Sequence, residues 1–233
     1  MTTATARQPR RVSTVMARLD GILADRGIDR ASLPAEPPAQ PVTTLQLADA
    51  RIPPRYRDAL ATHPQVTAWV DEIVRAGRPG PGGSRGIACG PSLLIVGTTG
   101  TGKTHQAYGA VRSLLRAGVR LRWEAANTPD LHARLRPRSG HDPERELHVL
   151  SRSPLLIVDD LGAAKQSEWT EELTYRLIDR RYTEMLPTLI TTNLPIGALR
   201  DAIGDRVASR LAEMTLRVVL TGPDRRRQPA TTA

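Results

Sequence analysis

Leu93-Leu-Ile-Val-Gly97-Thr-Thr-Gly-Thr-Gly102-Lys103-Thr104 is the stretch on which the reading of the whole chain turns. Four apolar residues run into a glycine-rich turn, the turn closes on Lys-Thr, and a helical pattern opens behind it. Strand, G-x-x-x-x-G-K-[ST] loop and helix in that order make a phosphate-binding P-loop. Glycines let the backbone approach phosphate closely, and the N–H groups at a helix start face the anion with the helix dipole behind them. Gly97, Thr98, Thr99, Gly100, Thr101, Gly102, Lys103, Thr104 and His105 are thus the expected nucleotide-contacting residues. Lys103 reaches the β/γ-phosphates and the Thr104 hydroxyl ligates Mg²⁺. The bland alternative is a Gly/Thr-rich turn that follows a buried strand by chance.

Moving outward, Pro154-Leu-Leu-Ile-Val-Asp159-Asp160-Leu-Gly162 reads as a buried strand ending in two carboxylates. In parallel sheets the C-terminal strand ends carry the ligand-contacting groups. There Asp159 holds Mg²⁺, or its coordinated water, opposite Thr104, and Asp160 is the candidate base that orients an attacking water. The alternative is a solvated turn or a helix cap. Pro187-Thr-Leu-Ile-Thr-Thr192-Asn193 reads as another strand, with Asn193 placed to hold the lytic water or the γ-phosphate beside Asp160. Asn also caps helices, so its weight comes from its order in the chain.

The rest of the pattern fits these strands. Helices are expected over 103–117 (ending at Gly118), 129–135, 143–152, 168–185 and 199–214 with a break at Gly204, and strands over 119–125 and 216–220. Strands alternating with helices, and reading as continuous apolar runs, predict a parallel sheet covered on both faces. Leu45–Ala76 is helical in pattern but broken by prolines, and residues 77–91 read as a flexible loop. Residues 11–27 place Val12, Val15, Met16, Leu19, Ile22 and Leu23 on one helical face, followed by a connector with Pro34, Pro37, Pro38 and Pro41. That helix either docks on a partner or folds back on its own domain. The expected organisation is therefore residues 1–44 as a candidate docking segment, 45–222 as the α/β domain, and 223–233 as a flexible basic tail containing Arg225, Arg226 and Arg227.

Composition sets outer limits. The chain has 233 residues, a net charge of +9, 39% hydrophobic residues and one cysteine, Cys89. A lone cysteine excludes an intrachain disulfide and a Cys-rich zinc site. No apolar run approaches the roughly 18 residues of a membrane span, so no membrane partner is expected. The N-terminal charges have no apolar core behind them, unlike a secretory signal, which makes the cytoplasm the expected location. The positive balance favours a polyanionic partner. Only Lys103 and Lys165 supply lysine among 33 basic residues, and one of the two stands where a P-loop needs an ammonium.

Taken together, Gly97–His105, Leu155–Gly162, Arg181-Tyr182, Leu189–Leu194 and Gly204–Leu211 resemble the AAA+ ATPases. Within them they are similar to the helicase-loader and transposition-helper group typified by DnaC, DnaI and IstB. The resemblance spans residues 50–227. It implies a P-loop NTPase with an AAA+ core, a five-stranded parallel sheet between helices, and no full C-terminal lid or lid arginine. It implies ATP and Mg²⁺ as cofactors, Asp159 and Asp160 at the Walker B positions, and Asn193 at the sensor-1 position. Arg210 falls at the arginine-finger position, with Arg206 as second candidate, acting in trans on a neighbour's γ-phosphate. Asp160 departs from the Glu common across the larger family and is one methylene shorter, although the DnaI-like branch also resembles Asp-Asp here.

The resemblance further implies a nucleotide-dependent homo-oligomer that loads a replicative hexameric helicase onto single-stranded DNA. A transposition helper partnering a transposase is the nearest rival, and a nucleotide-gated adaptor with negligible hydrolysis another. A small-molecule kinase is disfavoured, because no lid with clustered arginines follows the loop. Arg134, Arg136 and Arg138 lie in an insertion that looks like the DNA-facing one of this group, where arginines neutralise phosphates without reading bases. Asp130, Asp142, Glu144 and Glu146 nearly cancel that charge, so a solvated face is the competing reading. His132, His141 and His148 lack metal-ligand spacing and read as surface residues.

Overall fold

The buried runs pair as a five-stranded parallel sheet. In this computed structural model, which describes residues 25, 50–80, 85–164 and 167–225, the strands are β1 (Arg78–Pro79), β2 (Arg85–Gly86), β3 (Ser92–Gly97), β4 (Val119–Arg120), β5 (Trp123–Asn127), β6 (Leu155–Asp159), β7 (Thr188–Thr192) and β8 (Thr215–Leu220). The core sheet has the order β5-β6-β7-β3-β8, and every adjacent pair runs parallel. The strand after Pro187 therefore separates the phosphate-loop strand β3 from the carboxylate strand β6.

Side chains on one strand alternate between the two faces, and the three central strands β6, β7 and β3 each feed two cores. Leu93, Ile95, Leu155, Ile157 and Leu189 join Trp69, Ile73 and Leu114 on one face. Leu94, Val96, Leu156, Val158 and Ile190 join Leu131, Leu150, Leu177 and Leu211 on the other. The first face is covered by α1 (Pro64–Ala76) and α2 (Lys103–Arg116). The second is covered by α3 (Thr128–Leu135), α4 (Pro143–Arg152), α5 (Glu168–Thr183), α6 (Ile196–Ile203) and α7 (Asp205–Met214). Burial on both faces is why these strands read as unbroken apolar runs.

Three local expectations are corrected. The strand expected over 119–125 is two strands: β4 leaves the core sheet to pair with β2, and β5 re-enters it beside β6. The loop expected over 77–91 carries β1 and β2, antiparallel to each other. The helix expected to reach Met185 ends at Thr183, where Leu186 N–H turns back to the Arg181 carbonyl at 2.9 Å. Apart from Asp25, the amphipathic stretch 11–27 and its proline-rich connector lie outside the described residues, as do residues 226–233. Among the described residues no helix is long and apolar enough to cross a membrane.

Arg181 closes the end of the sheet away from the glycine-rich loop. It is fully buried and donates to the carbonyls of Leu150 (3.1 Å), Ser151 (3.3 Å), Ser153 (2.8 Å) and Pro187 (2.7 Å), and to Thr188 Oγ1 (2.7 Å). A helix leaves its last carbonyls without intrahelical partners. One guanidinium satisfies two of those of α4, Leu150 and Ser151, together with the cap Ser153, and clamps this end to the start of β7.

A candidate nucleotide site at the C-terminal edge of the sheet

The glycine-rich loop joins β3 to α2 at the carboxyl edge of the sheet. Gly102, the residue before α2, has φ 95° and caps it without a side-chain hydrogen bond, and Gly100 has φ 85°. Both values lie in the left-handed region where glycine is favoured. No side-chain cap at Gly102 competes for the first turn of α2, and a helix start of this kind favours an anion. Thr98 organises the loop through its carbonyl, which accepts Thr101 Oγ1 at 2.9 Å and Lys103 Nζ at 3.0 Å. Lys103 is only 6% exposed, so its ammonium is held over the loop instead of ranging through solvent.

The carboxylates stand opposite. Thr104 Oγ1 lies 3.0 Å from Asp159 Oδ1 and 3.1 Å from Oδ2. Thr191, fully buried on β7, donates its hydroxyl to Asp159 Oδ1 at 2.5 Å and accepts the Asp160 backbone N–H at 2.9 Å. Burial is the largest influence on Asp159 and raises its pKa, opposed by the Thr191 and Thr104 hydroxyls and the Lys103 charge and reinforced by Asp160. An aliphatic hydroxyl and a carboxylate at hydrogen-bond distance are the hard oxygen donors that suit Mg²⁺, so the side chains fit that ion.

Asp160 takes φ 53°, a region that Asp and Asn tolerate better than other side chains. A Glu here would hold the same backbone at greater cost.

A cleft of about 500 Å³ opens above the loop, lined by Thr99, Lys103, Thr104, His105, Asp160 and Asn193 among others. It also takes in Arg55, Tyr56 and Arg225, which the sequence did not mark as site residues. Tyr56 stacks on Tyr108 of α2 with ring centroids 5.0 Å apart. The segment carrying it is pinned to α2 by Gln106, whose Oε1 accepts the N–H groups of Thr62 (3.0 Å) and His63 (3.1 Å). His105 Nε2 faces Leu60 N–H at 3.3 Å; burial first, then Arg225, lowers the His105 pKa. Arg225, expected in a loose tail, instead binds the loop through its backbone N–H, 3.0 Å from Gly100 O.

Known proteins resemble this chain in sequence and fold. A family model described as IstB-like ATP binding protein matches residues 88–219. The chain belongs to the IstB-like ATP-binding family. The replicative helicase loader DnaC of Escherichia coli K12 is 28% identical over 123 residues, 52% of this chain and 49% of DnaC. A protein described as an ATP-binding protein of insertion sequence IS5376, from Geobacillus stearothermophilus, is 29% identical over 117 residues, 50% of this chain and 45% of that protein. The chain spans about half the length of these curated relatives. A crystal structure of the DnaC helicase loader superposes with TM-score 0.60 at 29% identity, covering 72% of this chain and all of that one. A crystal structure of DnaI gives 0.59 at 20% identity, a likeness of fold.

In this IstB-like chain Arg206 and Arg210 lie on α7, and neither lines the cleft. Arg210 Nε contacts Asp179 Oδ1 at 2.5 Å and Nη2 contacts the Tyr175 hydroxyl at 3.0 Å. Arg206 rests 3.9 Å above the Tyr175 ring. Of the DNA candidates, Arg134 is committed to Glu146, at 2.8 Å from Nε, and to Glu124 at 3.7 Å. Arg136 lies 5.7 Å over the Trp169 ring, and Arg138 is exposed. The acids of this insertion are spent as well, Glu144 on Arg176 and Asp142 as the cap of α4.

The histidines are not uniformly superficial as expected. His132 is half-buried, 3.3 Å from Thr174 Oγ1, and His141 contacts the Arg134 carbonyl at 2.5 Å, while His148 is exposed. Among the described residues no cluster of His, Cys, Asp or Glu is suited to a further metal.

Proposed function

We propose that this protein is an ATP-hydrolysing helicase loader, acting on single-stranded DNA as a nucleotide-dependent homo-oligomer. The observation that carries the hydrolytic part is the Thr104–Asp159 pairing at 3.0 Å under a cleft that Asp160 and Asn193 also line. Lys103 and the first turn of α2 neutralise the β/γ-phosphates. Thr104 and Asp159 would hold Mg²⁺, which would supply further charge neutralisation for the triphosphate. Asp160 accepts a hydrogen bond from the attacking water and orients it, and Asn193 donates to that water or to the γ-phosphate. Arg210, with Arg206 beside it, completes the site of a neighbouring subunit. An arginine of that kind contributes on the order of 10³–10⁵ in rate.

Single-turnover ATP hydrolysis by wild type and Asp160→Asn, with and without single-stranded DNA, tests the enzymatic reading. A DNA-stimulated rate that Asp160→Asn abolishes supports it. Equal, near-zero rates make the protein a nucleotide-gated adaptor. The loader assignment draws on the likeness to DnaC. The relative from an insertion sequence, of similar identity and coverage, supports a second reading as a transposition helper partnering a transposase. Affinity purification separates the two: a hexameric helicase among the bound proteins supports the loader, a transposase without helicase the helper. Residues 1–44 are the proposed docking segment, so deleting residues 1–30 should remove partner binding and leave ATP binding intact.

A further inference from the structure

The segment that leaves β8 turns back over the phosphate loop. Arg225 N–H donates to the Gly100 carbonyl at 3.0 Å. The Asp224 carboxylate lies so close above Gly100 that a Cβ built there would stand 1.8 Å from Oδ1. The Arg225 guanidinium extends over Gly102, 3.5 Å from a Cβ built on that residue, and lines the cleft. A carboxylate offers two acceptor oxygens and a negative charge, the features that a helix N-terminus and its preceding loop stabilise in a phosphate.

We propose that Gly222–Arg225 is a strap laid across the phosphate loop of the free protein, with the Asp224 carboxylate standing against Gly100 in competition with the incoming phosphates. The inference rests on reading the cleft as an ATP site and adds a regulatory element to it. The side chains of the strap have opposite effects. Asp224 shares the sign of a triphosphate and must withdraw as it enters, whereas Arg225 carries the opposite sign and can stay. A phosphate loop free of the strap in only a fraction of molecules binds with an apparent affinity reduced by that fraction.

Two measurements on the full chain test this. In stopped-flow mixing with a fluorescent N-methylanthraniloyl derivative of ATP, Asp224→Asn should bind about three- to tenfold tighter than wild type, through faster association. The gain should persist at about 0.5 M salt, where exposed charges are screened within a few ångströms. An unchanged rate, or a gain that vanishes at high salt, overturns the strap, the latter by reducing Asp224 to simple charge repulsion. The second measurement needs no nucleotide. Amide hydrogen exchange over residues 100–106 should speed up severalfold in Asp224→Asn, and unchanged exchange would also overturn the strap. If wild type and variant both fail to bind the ATP derivative while exchange does respond, the ATP-site reading fails and the strap stands.

Discussion

The Thr191 hydroxyl donates to Asp159 Oδ1 at 2.5 Å and with the same oxygen accepts the backbone N–H of Asp160 at 2.9 Å. One side chain on β7 thereby fixes both carboxylate residues at the end of β6. Thr191→Val keeps the shape and removes the hydroxyl. It leaves a half-buried N–H without its partner, an expected loss of about 1–3 kcal/mol in thermal or urea unfolding. ATP hydrolysis should fall roughly 10–100-fold with little change in ATP affinity, as when an outer partner of a metal ligand is removed. Thr191→Ser should restore most of the rate, and failure of that rescue would refute the positioning role.

Asp159 joins function to stability through its raised pKa. Below the ordinary carboxylate value the group is protonated whether folded or not, so it contributes nothing. As pH rises through the higher folded pKa, ionising it disfavours the fold, and the penalty is complete at neutral pH. Asp159→Asn should therefore melt at the same temperature as wild type or higher at pH 7, while Mg²⁺-dependent hydrolysis is lost. The difference should shrink as pH falls toward about 4. A lower Tm for the variant at pH 7 would show that the hydrogen bonds to Asp159 outweigh its desolvation.

Asp160 occupies the left-handed region at φ 53°. Asn tolerates that backbone as Asp does, so Asp160→Asn should keep Tm and ATP affinity while single-turnover hydrolysis drops by about 10²-fold or more. Asp160→Glu, which restores the residue common in the larger family, should lower stability by about 0.5–1 kcal/mol. Equal stability of the Glu variant would show that this backbone does not disfavour the longer side chain.

Arg181 is tested by Arg181→Met, which keeps much of the volume and deletes every donor. Four buried carbonyls lose a partner, and the expected loss is about 2–4 kcal/mol. Arg181→Lys should recover only part of it, because one ammonium cannot span acceptors on both α4 and β7. ATP affinity at low temperature should be near wild type in both, since these contacts lie at the other end of the sheet.

Legibility in the sequence followed contact range. Gly97–Thr104, Asp159 and Asp160 declared themselves because strand, loop and helix are local patterns, and the bounds of α4 were set by Asp142, Pro143 and Ser153. The Asn193 position could be read once its strand was recognised. Thr191 could not, since a threonine in an apolar run has the same local signature whether it packs or positions a carboxylate. Tyr56 and Arg225 enter the cleft from segments far from it in sequence, and no spacing rule joins them to Lys103. Arg134 is the opposite case: its charge was visible, but not Glu146 and Glu124, which pair with it.

Gln106 has a mechanical meaning as well as a structural one. Its side chain rivets Thr62 and His63 to the helix that begins at Lys103, while Tyr56 and Arg55, a few residues upstream, form part of the cleft wall. The chain ahead of residue 55 thus joins the cleft wall through a segment anchored on the helix of the phosphate loop, so a shift of that segment displaces Arg55 and Tyr56. By reciprocity, whatever grips that upstream chain more tightly when nucleotide is bound must itself tighten the hold on nucleotide.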